Sequence, residues 1–83
     1  MLILGQLLDV INDNESLIIR SSHERSITYI DEVRASEAKK LLTKDSRTCV
    51  VDDIYSDNSE RDRYETVTVI YIKSNGYLIL APE

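Results

Sequence analysis

The chain reads as a small α+β domain, with two short helices on one face of a mainly antiparallel sheet of about five strands, in the order α-β-β-α-β-β-β. Three observations predict it. Leu4, Leu7, Leu8 and Ile11 recur at helical spacing, and Ala35, Ala38, Leu41 and Leu42 do so again further on. Runs rich in β-branched residues lie between and after them, the longest being Thr66-Val67-Thr68-Val69-Ile70-Tyr71-Ile72. The turn pair Asn75-Gly76 then precedes Tyr77 to Ala81, a strand–turn–strand signature, because a tight hairpin needs positive φ at both central positions.

The first helix covers about two turns and is stopped by Asn12-Asp13-Asn14. Leu17-Ile18-Ile19 is too short for a helix and follows that turn cluster, so Glu15 to Ser21 reads as the first strand. After a turn at Ser21 to Glu24, Arg25 to Ile30 alternates as a second strand, with Ile27 and Tyr29 on one side and Ser26, Thr28 and Ile30 on the other. Glu32 to Thr43 is rich in helix formers and makes the second helix, with either Asp31 or Ser36 as its N-cap. Thr48 to Tyr55 returns to strand character, Ser56 to Arg63 is a polar loop, and the hairpin closes the chain before Pro82. In that hairpin Ile72 would pair with Ile79 and Tyr71 with Leu80. One face would meet the helices; the other, carrying Val69, Tyr71, Leu78 and Leu80, would be covered by another segment or left as an apolar patch of the kind that marks an interface.

Residues 1–83 form one domain, small enough to bury only about 60 to 65% of its unfolded surface, so a partner or an oligomer would add stability. Five tyrosines supply all the aromatic packing, since tryptophan and phenylalanine are absent, and each hydroxyl needs water or a partner. Cys49 has no second cysteine to bridge to, and Met1-Leu2-Ile3-Leu4 lacks the basic flank of a secretory signal; a cytoplasmic location is expected. No apolar run approaches the roughly 20 residues of a membrane span. A net charge of −5 argues against direct nucleic-acid binding, which requires surplus Lys and Arg, and suits a basic protein partner instead.

The charge is concentrated. Asp52, Asp53, Asp57, Glu60, Asp62 and Glu65 lie within a fourteen-residue stretch that holds only Arg61 and Arg63 in opposition. Such a run reads either as a solvated loop or as a recognition surface for a basic cleft. A metal site fits poorly, because the spacing lacks the glycine and terminal glutamate of a calcium loop, and no cofactor is expected. Catalytic constellations are missing as well. His23 is a turn residue beside Glu24, Cys49 lies in a strand with no histidine near it in sequence, and two glycines, Gly5 and Gly76, cannot build a phosphate-cradling loop. From Ser16 to Arg47 seven basic residues face five carboxylates, an excess too mild for a nucleic-acid stripe.

The helix Leu4-Gly5-Gln6-Leu7-Leu8-Asp9-Val10-Ile11, the Asn-Asp-Asn break, the strand Ser16-Leu17-Ile18-Ile19-Arg20 and the apolar C-terminal strand together resemble small bacteriophage-encoded proteins. In size, acidity and element order the chain is similar to compact anti-CRISPR proteins that block Cas9-type nucleases. The resemblance implies a stoichiometric, non-enzymatic inhibitor whose carboxylates mimic DNA phosphates in a groove that reads a short DNA element with arginines. On it, Asp52, Asp53, Tyr55, Asp57, Glu60, Asp62, Tyr64 and Glu65 would contact a CRISPR effector of the host. Arg61 and Arg63 depart from a pure phosphate mimic. The alternative is a homo-oligomeric assembly or regulatory protein, a homodimer for instance, that uses the second apolar face of the hairpin.

Overall fold

Leu4, Leu8 and their neighbours do form the first helix, α1 (Leu4–Val10), in a computed structural model that describes residues 1–24 and 26–74. Its entry is closed by the Gln6 side chain, whose Oε1 accepts the Ile3 amide at 3.2 Å. The break that follows is a local turn in which the Asn12 side chain takes the Asn14 amide at 2.9 Å. Next come β1 (Ser16–Ser21), β2 (Thr28–Arg34), α2 (Ala35–Leu41), a 3₁₀ turn (Asp45–Thr48), β3 (Val50–Asn58) and β4 (Thr66–Lys73). Gly5 lets α1 approach the 3₁₀ turn closely, since a Cβ there would lie 3.2 Å from both Cβ and O of Arg47.

The described strands make one four-stranded sheet in the order β2-β1-β4-β3. It is mixed: β1 runs parallel to β4, while β2 and β3 pair antiparallel at the two sides. The sequence reason lies in the central pair. Leu17-Ile18-Ile19 and Val67 to Ile72 are apolar toward both faces, as central strands must be, whereas β3 is exposed from Asp52 to Asn58.

The expected α+β class holds, with two helices and a sheet; the described strands number four where about five were expected, and one parallel pairing stands beside two antiparallel ones. Ile72 pairs with Ser21 on one side and Val51 on the other, and Tyr71 with Arg20 and Asp53; Ile79 and Leu80, their expected partners, lie outside the described residues. The expected strand from Tyr77 to Ala81 and its Asn75-Gly76 turn lie outside the described residues.

The second strand and second helix also divide elsewhere. Asp31 to Arg34 belong to β2, where Val33 pairs with Leu17 and Arg34 with Ser16, and α2 starts only at Ala35. Neither Asp31 nor Ser36 is its N-cap. The Ala35 and Ser36 amides are instead met by the main-chain carbonyls of Glu15 at 2.7 Å and Asp13 at 3.1 Å. Lys39 fastens the same loop through Asp13 Oδ1 at 2.6 Å. β3 begins at Val50, after the 3₁₀ turn, and runs three residues past Tyr55.

The sheet has two unlike faces. Leu4, Leu8, Ala35, Ala38 and Leu42 from the helical side pack on Leu17, Ile19, Ile30, Ile70 and Ile72 to form the main core. The opposite face carries a smaller cluster of strand residues, Ile18, Val67, Val69 and Tyr71, all buried. Val69 and Tyr71 are 2% and 4% exposed, so they do not form the open apolar patch that an interface between copies would use.

Candidate functional site

The acidic stretch occupies the strand at one side of the sheet and the loop that follows it. Cross-strand register decides where each side chain points. Val51 pairs with Ile72 and Asp53 with Tyr71, so Asp52 is the extra residue of a β-bulge and the alternation shifts there. Beyond it, Asp53, Tyr55 and Asp57 lie opposite Tyr71, Val69 and Val67, the residues of the smaller cluster. Three of the expected site residues therefore share the face away from the helices.

The same aspartates finish the strand's own hydrogen bonding. Asp53 accepts the Ile54 amide at 2.9 Å and Asp57 the Asn58 amide at 2.8 Å. Near the start of β3, the Val51 amide donates to the Leu2 carbonyl at 2.9 Å. Among the described residues β3 is an edge strand, and meeting its amides in this way blunts it against pairing with another strand. Asp31 does the same on β2, accepting the Glu32 amide at 2.9 Å.

The loop from 59 to 65 is organised by Ser59, a buried residue whose hydroxyl accepts the Arg61 and Asp62 amides at 3.1 and 3.0 Å. Asp62 in turn accepts the Tyr64 amide at 2.9 Å. Other expected residues are engaged: Asp52 with Lys73 at 3.7 Å and Glu65 with Arg34 at 3.5 Å, both exposed pairs. Tyr64 is 83% exposed beside the Arg63 guanidinium, 5.0 Å from its ring centre. Tyr55 stacks on Tyr71 with ring centres 5.8 Å apart, and their hydroxyls are 3.3 Å apart. That hydroxyl contact, with some desolvation and the Asp57 charge, raises the Tyr55 pKa above 10.0, against a smaller opposing effect of Arg20.

Asp57 and Glu60 border a hollow of about 80 Å³ whose floor is Ile18, Val67 and Val69. Glu32, which helical periodicity assigns to an exposed helix start, forms another wall. It is only 8% exposed, its Oε1 finds no hydrogen-bond donor, and its Oε2 lies 3.8 Å from the Arg61 Nε. A glutamate at the expected start of a helix gives no sequence sign of such burial; only its place beside the bulged β1–β2 pairing makes it intelligible. A second depression, of about 310 Å³, shares Glu32 and Arg61 and takes in Asp62 and Glu65. The acidic residues thus divide into a group around Asp53, Tyr55, Asp57 and Glu60, and a group around the loop.

His23 is exposed in its turn, and Cys49 is half-buried with its thiol pKa raised above 9.0 by burial, which keeps the sulfur in its unreactive form. Among the described residues no group of three or more His, Cys, Asp or Glu side chains is placed to hold a metal ion, and no helix is long and apolar enough to cross a membrane. Of the described basic residues in the middle region, Lys39 closes on Asp13, Arg34 on Glu65, and Arg20 borders the hollow.

No family model, curated protein or solved structure matches the chain. Its function is read from this geometry.

Proposed function

We propose that the protein acts without catalysis, by docking the acidic face of β3 onto a basic, nucleic-acid-binding surface of another protein and blocking it. The observation that carries this is the common orientation of Asp53, Tyr55 and Asp57, extended by Glu60, on a strand whose residues from Asp52 to Asn58 are all exposed. Carboxylates fixed on a sheet lose little conformational freedom when they meet Arg and Lys groups, and their field raises the rate of encounter with a positive surface. The same charges oppose self-association through β3. Antiparallel pairing of two copies about Tyr55 would set Asp53 against Asp57, and like charges directly opposite are unfavourable.

The resemblance to anti-CRISPR inhibitors nominates a Cas9-type nuclease, in the cytoplasm of a phage-infected cell, as the first target to test. Binding should be stoichiometric and weaken with added salt, since exposed charges are screened beyond about 8 Å at physiological ionic strength. The test is a pull-down from host lysate, and against a purified Cas9-type effector, at low and high salt with the wild type and with the Asp53→Asn/Asp57→Asn/Glu60→Gln variant. Loss of capture by a folded variant supports the docking face. Equal capture by both proteins at both salts contradicts it.

A further inference from the structure

The hollow beside β3 has properties that go beyond an acidic surface. Its 80 Å³ would hold about three waters. That is far below the roughly 300 to 1,000 Å³ of a metabolite or cofactor pocket, so its occupant is the head of one side chain. Four carboxylates border it (Asp31, Glu32, Asp57 and Glu60) against two arginines, Arg20 and Arg61. The balance favours a cation. Independently of the charge count, two residues that line it each hold a buried side-chain atom without a partner: Glu32 Oε1, an acceptor without a donor, and Arg20 Nε, a donor without an acceptor. An unsatisfied buried group is costly, and the cost is recovered by whatever supplies its partner.

We propose that this hollow is an arginine-reading pocket, which seats one arginine side chain of the protein partner against Glu32. This rests on the docking reading above and names the residue that would anchor it. A planar guanidinium offers paired N–H donors matched to a carboxylate, whereas an ammonium acts as a point charge. The aliphatic stem lies over the Ile18, Val67 and Val69 floor, and the Tyr55 ring on the wall gives the guanidinium plane a surface to stack on. Arg61, with its side chain 68% exposed and its Nε at 3.8 Å from Glu32, is a loose internal occupant that the incoming arginine displaces.

The experiment titrates N-acetyl-L-arginine methylamide into the intact protein at low, fixed ionic strength and follows backbone amide signals, with the citrulline analogue as a neutral control of the same shape. The pocket predicts a saturable response centred on Ile18, Glu32 and Val69, none with citrulline, and at least about tenfold weaker binding in Glu32→Gln. Arg61→Ala, which removes the internal competitor at an exposed position, should strengthen binding about two- to fivefold. Equal responses to the arginine and citrulline probes, or Arg61→Ala binding no tighter than wild type, would overturn the pocket, even if Glu32→Gln fails to fold. The two proposals can fail separately. Partner capture that depends on Asp53 and Asp57 without any arginine response removes the pocket and leaves the docking face. Arginine binding together with salt-insensitive capture removes the docking face and leaves the pocket.

Discussion

Ile18 and Ile19 are adjacent, identical in chemistry and both buried, yet they serve opposite faces of one sheet. Ile19 enters the main core, packed with α1 and α2, and has no exposed surface. Ile18 belongs to the four-residue cluster on the other side, which is framed by charged side chains of β1, β2, β3 and the loop after β3. One face is built for stability. The other combines a thin apolar floor with partly satisfied charges, an arrangement that costs stability.

The largest effect expected from that contrast is on folding. Ile19→Ala should cost about 2 to 5 kcal/mol, near the upper end because helices on one side and sheet on the other leave little room to collapse, and a domain of this size has little more to lose. Ile18→Ala should fall near the lower end of the same range, as its 8% exposure leaves a path for water and for side-chain relaxation. Chemical denaturation measures both. Equal losses would mean that the second face is packed as tightly as the first.

Next comes a separation of binding from stability. Asp53→Asn and Asp57→Asn keep an oxygen that can accept the following amide, so their effect on stability should stay within about 0.5 kcal/mol while partner capture falls. A folded but binding-deficient variant sharpens the contrast between faces. A variant that unfolds blurs it.

Smaller effects belong to the exposed pairs and to titration. Glu65→Gln, which breaks the pair with Arg34, should cost at most about 1 kcal/mol. Tyr55 should ionise above the usual tyrosine range because its neutral hydroxyl shares a contact with Tyr71, and in Tyr71→Phe its titration should move down toward pH 10.0. Ultraviolet titration follows it directly. Cys49 should react with iodoacetamide more slowly than an unfolded cysteine between pH 7 and 9, since burial holds its pKa above 9.0 and reduces the thiolate.

Much of this contrast was legible in the residues. Leu4, Leu7, Leu8 and Ile11 announce α1 through their spacing, and the apolar run to Ile72 announces a strand, because both signals are local. The parallel pairing of β1 with β4 is not local, and it joins Leu17 to Thr68 across the chain. Pairing with β1 also overrides the helical propensity of Glu32-Val33-Arg34, and the carbonyls of Asp13 and Glu15 cap α2 without leaving a side-chain signature. For the candidate site, the carboxylates were visible as a cluster, but which of them share a face depends on the bulge at Asp52. Glu32 was invisible as a site residue, since nothing at the expected start of a helix foretells a buried oxygen without a donor.

The most direct measurement is the salt dependence of affinity for the captured partner, compared between the wild type and the Asp53→Asn/Asp57→Asn/Glu60→Gln variant. The account predicts a steep loss of wild-type affinity with rising salt and a shallower slope, with weaker binding throughout, for the variant. Identical slopes and affinities for the two proteins would contradict it.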